Sequence, residues 1–267
     1  MHMIYLHLKR KRRTRWLFDA PMLPVADPSA LPRRIFLFWD KGFDAAPEPC
    51  PACLDSWRRL NPGWEVITLD ASAAEAVIRR DRYPPDLTTN KYSNFLRGHL
   101  LAEQGGVWAD ATLLCLKPLD GWLPQIFAQT DFFAFARPGA DRMLSNWFLA
   151  AAPGAPAMKA WTDHSERLLK THPGSEKPYF WFHYTFEYLY RRSPSMRRAW
   201  AAVPQISADP LHRLQRCLAR GTFSEADWAT ILASPVQKLT YKKPRVPAGL
   251  ADALRELERR RSADPPQ

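Results

Sequence analysis

The chain has 267 residues, of which 46% are hydrophobic and 24% charged, with a formal net charge of +11 at neutral pH. That length supports one large or two small domains with a substantial core, and the composition excludes a disordered or fibrous chain. The positive charge suits phosphate-bearing partners, but no zinc-finger spacing, basic-zipper heptad or ribonucleoprotein aromatic motif accompanies it, so no nucleic-acid partner is expected. The four cysteines are few and unevenly placed, which fits a reducing compartment. No apolar run reaches the length of a membrane-spanning helix. The charges of Lys9 to Arg13 follow the mildly apolar Met1 to Leu8, the reverse of an export signal, so a cytoplasmic location is expected.

In chain order, residues 1–33 read as a basic N-terminal extension. Its run from Lys9 to Arg15 is either a solvated tail or, beside Ile4, Tyr5, Leu6 and Leu8, a peripheral contact with anionic membrane at the inner face. In the second case each basic residue near the surface contributes about 1 kcal/mol. Ile35 to Trp39 is an apolar run bounded by Pro32 and by Lys41-Gly42, hence a buried strand. Cys53 to Leu60 reads as a helix that stops at Asn61-Pro62-Gly63. The Cys50-Pro51-Ala52-Cys53 spacing has no second such pair and no nearby histidines, and is read as incidental rather than as a zinc or redox site. Trp64 to Leu69 alternates as a second strand, and Asp70 opens a helix from Ala73 to Arg79.

The stretch from Tyr92 to Leu116 is the most informative. Phe95, Leu96, Leu100 and Leu101 repeat at helical spacing, and the paired Gly105 and Gly106 stop that helix. Val107 to Leu116 then reads as one buried strand, with Asp110 and Thr112 on the same face. A lone carboxylate is expensive to bury in an apolar strand, so Asp110 is expected at the strand's end, toward a ligand or a metal. Strands alternating with helices indicate an α/β protein. Further on, Phe132 to Phe135 is a short strand and Met158 to Leu169 a helix. In the aromatic stretch Tyr179 to Phe186, helical spacing assigns Phe182, Phe186 and Leu189 to the core. Trp181 and His183 remain as acceptor-site candidates, because aromatic faces stack on the CH face of a pyranose. Arg191, Arg192, Arg197 and Arg198 form a basic cluster, either solvated or facing a phosphorylated acceptor. Residues 246–267 read as an amphipathic helix and tail, with Leu254 and Leu257 on one face.

Four stretches, in order, resemble the capsular polysaccharide synthesis family of DXD-type glycosyltransferases. They are Ile35 to Pro47, Ser93 to Thr112, Asp141 to Ala150, and Ser234 to Lys242. Ser93-Asn94-Phe95-Leu96-Arg97 stands for the helix motif and Asp110-Ala111-Thr112 for the DXD, in the Asp-Ala-Thr form usual for the capsular branch. Asn94 stands where the wider group has Asp, and Gln237 where a His commonly precedes Lys238. The resemblance implies a GT-A-type single domain over residues 34–245. Its central mixed sheet would be flanked by helices, as in nucleotide-diphospho-sugar transferases. It implies transfer of a hexose from a nucleoside-diphosphate sugar to a glycan or lipid-linked glycan acceptor, a growing surface polysaccharide, with retention. The residues it implies for catalysis are Asp110 and Asn146, the latter as a hydrogen bond to the donor sugar or otherwise as a turn or cap residue. For the nucleotide they are Trp39, stacked on the base or otherwise in the core, with Asn94, Arg97, Gly106 and Lys238. For a divalent cation, manganese or magnesium arriving with the nucleotide, they are Asp110, Thr112 and Gln237. Two other readings differ in class. One is a catalytically weak GT-A-fold partner in polysaccharide assembly, motivated by Asn94 and Gln237; the other is a nucleic-acid binder, motivated by charge alone.

Overall fold

The four consecutive buried residues Ile35, Phe36, Leu37 and Phe38 can be satisfied only by a strand covered on both faces. They form most of β1 (Arg34–Phe38), which pairs in parallel with β2 (Glu65–Leu69) on one side and β3 (Gly106–Ala109) on the other. Beyond β3 the sheet turns antiparallel through β6 (Arg142–Ala151) and β5 (Phe132–Gly139), in the order β2-β1-β3-β6-β5. This computed structural model describes residues 31–242 and 245–263, so the proposed membrane contact of the N-terminal extension lies outside the described residues. The sheet is mixed and flanked by helices, the architecture that the sequence resemblance implies.

The helices follow local sequence rules. The first, α1 (Cys50–Leu60), carries Pro51 in its first turn and ends at Asn61. Asp70 caps α2 (Ala71–Val77) by accepting a hydrogen bond from the Ala73 amide at 2.8 Å. The central helix α3 (Thr89–Glu103) begins three residues before the Tyr92 expected from its apolar spacing. Then come α4 (Leu123–Phe127), α5 (Pro156–Thr171), α6 (Trp181–Arg192), α7 (Pro194–Ala202), α8 (Arg213–Arg220), α9 (Glu225–Ala233) and α10 (Arg245–Ala263). Most tryptophans serve packing, and Trp57, Trp108, Trp122, Trp161 and Trp181 are fully buried. A second apolar cluster joins Leu214, Trp228 and Ile231 to Leu250 and Leu257 of α10, with Leu254 partly buried beside them. Among the described residues no helix is long and apolar enough to cross a membrane.

The expected single strand from Val107 to Leu116 is in fact two. After β3 the chain turns at Asp110, whose carbonyl accepts from the Leu113 amide at 2.8 Å. It then runs into β4 (Leu113–Cys115), which leaves the main sheet and pairs antiparallel with β7 (Val236–Lys238). The break removes Asp110 and Thr112 from the apolar sheet. Polar groups of α1 receive the displaced strand: the Trp57 indole donates to the Leu113 carbonyl at 2.7 Å, and the Ser56 hydroxyl accepts from the Cys115 amide at 2.9 Å. The turn into β3 depends on glycine. Gly106 has φ +104, and a β-carbon there would sit 2.8 Å from the Arg34 carbonyl oxygen of β1.

Candidate active site

The chain leaves β1 for β2 on one side and later returns to β3 on the other. The carboxyl ends of β1 and β3 therefore flank the point where connection direction reverses, where ligands of open α/β sheets bind. Trp39 follows β1 and Asp110 follows β3. The register Ile35 with Val107 and Phe36 with Trp108, continued along both strands, brings Phe38 level with Asp110.

Asp110 is held on every side. Its amide donates to the Trp147 carbonyl at 2.9 Å, and its Oδ1 accepts from the Trp108 indole at 3.0 Å. Arg97 Nη1 lies 3.3 Å from Oδ1, and Lys238 Nζ 3.6 Å from Oδ2. Burial alone would raise the Asp110 carboxyl; Arg97, then Lys238, outweigh it and hold the group below the ordinary carboxylate range. Asp110 is ionised at neutral pH.

Arg97, with its side chain 3% exposed, is enclosed by protein. Its Nε donates to the Ser93 carbonyl and its Nη2 to the Ser93 hydroxyl, both at 3.0 Å, while Nη1 donates to the Asn146 carbonyl. The guanidinium also lies over the Trp108 ring, 4.8 Å from its centroid. With its fork engaged by protein, Arg97 positions Asp110 rather than reaching a ligand. Asn146 is neither a turn nor a cap residue. It sits within β6, and its amide nitrogen donates to Asn94 Oδ1 at 2.8 Å, tying β6 to α3. Asn94 and Asn146 therefore brace the network around Asp110.

Lys238 is the more open cation. From β7 its ammonium hydrogen-bonds the Thr112 hydroxyl and approaches the Leu239 carbonyl at 3.4 Å, while the Leu239 amide donates to the Thr112 carbonyl at 2.9 Å. The strand that carries the lysine is thus clasped directly over the Asp110 turn. The chain then continues to Tyr241, which is exposed and meets Trp39 edge-on at 5.3 Å between ring centroids.

Two expectations for this region change. Successive side chains of a strand face opposite ways, so Gln237 points away from Lys238 and Asp110. Its Oε1 accepts from the Leu214 amide at 2.9 Å and its Nε2 donates to the Pro210 carbonyl at 3.2 Å, which makes it a structural brace and not a metal ligand. Gly106, expected at the nucleotide, serves the close approach of β1 and β3.

On the other side of Asp110, Trp181 is 1% exposed and packs on Phe95 at 5.5 Å, so it cannot offer a face to a sugar. Tyr179, 66% exposed, is the exposed ring of this aromatic stretch and packs edge-on against Phe180 at 4.7 Å between centroids. His183 is buried, and its Nδ1 makes no hydrogen bond among the described residues. Burial, then Arg142 and Arg97, push its pKa down to about 3, with Asp110 opposing, so the imidazole is neutral. His212 meets Trp147 edge-on at 5.8 Å; burial, then Lys238, push it down to about 4. Arg142 stacks on Phe180 at 3.5 Å from the ring centroid. Trp108, Arg142, His212 and Tyr241 are absent from the sequence expectation. Arg142 lies in the Asp141 to Ala150 stretch and could have been marked by its charge, whereas nothing local distinguishes His212.

The donor set fits a divalent cation poorly. A hard cation needs oxygen ligands that are free to turn toward it. Asp110 is shared by Trp108, Arg97 and Lys238, the Thr112 hydroxyl accepts from Lys238, and Gln237 faces away. Among the described residues no three His, Cys, Asp or Glu side chains are grouped to hold a metal ion.

Fold and site together define an α/β protein with a cluster of charged and aromatic side chains at the switch point of its sheet. The chain belongs to the capsular polysaccharide synthesis protein family, whose model matches residues 22–247. It is similar to the glycosyltransferase afumC of Aspergillus fumigatus, 28% identical over 179 residues that cover 57% of this chain and 45% of that protein. It is also similar to the probable glycosyltransferase FCK3 of Fusarium pseudograminearum, 26% identical over 151 residues, with 50% and 38% covered. The chain thus spans less than half the length of these curated relatives. Similar solved structures include a glycosyltransferase involved in glycosylation of the major capsid of PBCV-1. It covers 81% of this chain and 99% of its own, with TM-score 0.47 and 12% identity. Another is the PaToxG glycosyltransferase, with 78% and 89% covered, TM-score 0.45 and 14% identity.

Proposed function

We propose that this protein is a glycosyltransferase that moves a hexose from a nucleoside-diphosphate sugar to a glycan or lipid-linked glycan acceptor, a growing capsular or other surface polysaccharide. The observation that carries this reading is Asp110, fixed between Arg97 and Lys238 at the carboxyl ends of β1 and β3, beside Trp39. The base would stack on Trp39, with Tyr241 beside it, and the diphosphate would lie against Lys238. A cytoplasmic site, at the inner face of the membrane, suits a chain whose four cysteines are free and buried.

In the transfer, the bond from the anomeric carbon to the β-phosphate oxygen breaks and its electron pair leaves with the diphosphate. Lys238 offers a fixed positive charge where that negative charge develops. The acceptor hydroxyl forms the new bond, and its proton goes to the departing phosphate oxygen. His183, buried and with a pKa near 3, is too weak a base to take that proton at neutral pH. Asp110 is likewise no base, being held as an ion by two cations. Retention of configuration, the outcome the family resemblance implies, is compatible with His183 and Asp110 both being unable to act as a base. A divalent cation arriving with the nucleotide would have to ride on the phosphate oxygens, because the carboxylate at hand is already shared.

A thermal-shift screen of nucleoside-diphosphate sugars tests the reading. A donor raises the midpoint by mass action, and the same donor should be consumed when an acceptor glycan is supplied. A panel in which no nucleotide sugar moves the midpoint would remove it.

A further inference from the structure

Three side chains that the family resemblance assigns to a metal are otherwise engaged, and a lysine stands among them. Lys238 Nζ is 3.6 Å from Asp110 Oδ2 and hydrogen-bonded to the Thr112 hydroxyl, the first and last positions of the Asp-Ala-Thr stretch. Gln237 is locked to backbone groups of Leu214 and Pro210 on the opposite face of β7. Lys238 is delivered by backbone pairing of β7 with β4, Leu113 opposite Lys238, and not by a free loop. Backbone pairing thus fixes the point from which the lysine reaches Asp110 and Thr112.

We propose that Lys238 takes the place of the divalent cation, so that the nucleoside diphosphate is held, and its leaving charge stabilised, without metal. The charge arithmetic supports it. A divalent cation on the single carboxylate Asp110, with Thr112 neutral, would leave one positive charge, and Asp110 with Arg97 and Lys238 already keeps that same one positive charge to meet the diphosphate. A cation entering beside Asp110 would also meet two positive side chains within ion-pair distance of that carboxylate. An ammonium is a compact point charge with three donors. Those that turn from Thr112 and Leu239 toward phosphate oxygens keep the lysine beside Asp110.

The inference rests on the nucleotide-sugar reading of this site, and the experiment separates the two. Uridine, guanosine, adenosine and thymidine diphosphates are titrated calorimetrically into the intact protein, once in excess chelator and once in manganese. The diphosphate that binds is expected to do so with dissociation constants within roughly threefold of each other in the two buffers. Lys238→Met, checked for folding by circular dichroism, should lose about tenfold or more in chelator. Manganese should restore part of that loss, because Asp110 and Thr112 are then released to bind it. Wild-type affinity that rises about tenfold or more with manganese overturns the inference while leaving the nucleotide site standing. A folded Lys238→Met that binds normally in chelator overturns it too. If no diphosphate binds in either buffer, the nucleotide-sugar reading fails and this inference falls with it.

Discussion

Arg97 shows how one buried cation can organise a site it does not itself expose. Its donors serve the Ser93 carbonyl and hydroxyl, the Asn146 carbonyl and Asp110, and its flat face covers Trp108. Arg97→Met would keep the length but remove the guanidinium's bonds to Ser93 and to the Asn146 carbonyl and leave Asp110 with Lys238 alone. The expected loss is about 3–5 kcal/mol of stability, read from urea denaturation. A loss below about 1 kcal/mol would show that the network is not formed. Asp110→Asn is the complementary change. It preserves shape and the indole hydrogen bond but removes the charge between two cations, so transfer should vanish while stability falls by roughly 1–3 kcal/mol. A folded, fully active variant would take Asp110 out of the mechanism. Trp39 is half-buried beside Tyr241 rather than sealed in the core. Trp39→Ala should therefore weaken nucleotide binding by about 1–3 kcal/mol, the range for aromatic–base stacking. Denaturation and nucleotide titration on one sample would reveal whether instability accounts for the change.

Among the elements, the junction of β3 and β4 carries the site. β3 must approach β1 closely enough that Gly106 has no room for a β-carbon, and it must then release the chain at Asp110. Gly106→Ala combines a left-handed backbone with a 2.8 Å contact to the Arg34 carbonyl. Strain of that kind costs of order 1–3 kcal/mol, and relief requires β1 and β3 to separate. Nucleotide affinity should fall with the thermal midpoint, since Trp39 and Asp110 end the two strands that separate. A midpoint unchanged from wild type would place the close approach elsewhere. The clasp of β4 on β7 has the opposite character. It is short, Leu113 to Cys115 against Val236 to Lys238, and it depends on α1 for its remaining polar partners.

Across the whole molecule, stability should depend on pH through a network that joins α3 to α5. Glu166 of α5 meets His99 of α3 at 2.8 Å and accepts from the Tyr83 hydroxyl, while Glu103 lies 3.3 Å from the other imidazole nitrogen. Burial works against the His99 charge, but its bonds to Glu166 and Glu103 prevail and raise its pKa above the ordinary 6.5. Its contribution is therefore complete below about pH 6.5 and lost as pH rises through the higher folded value. For Glu166, the bond to His99 is the main cause of a pKa near 2 in place of 4.5, so its contribution is present above about pH 4.5 and lost as pH falls toward 2. Both are complete between those limits. Denaturation midpoints should peak near pH 5–6, and Glu166→Gln should flatten the profile on both sides at a cost of roughly 2 kcal/mol at the peak. A variant with the wild-type profile would exclude this pair as the source.

The sequence alone determined the α/β order, because buried strands such as Ile35 to Phe38 and capped helices such as the one opened by Asp70 are written in local periodicity and local hydrogen bonds. It also singled out Asp110, since a charge in an apolar run has few tolerable fates. Only the tertiary structure decided what surrounds that charge. Lys238 follows Asp110 by more than a hundred residues and reaches it through β7 pairing with β4, an antiparallel register that no local pattern encodes. The same register turned Gln237 away from the site, and packing against Phe95 enclosed Trp181 while leaving Tyr179 outside. Residue type names which groups can do chemistry. The face each presents, and the partner that neutralises it, are set by pairings between segments far apart in the chain.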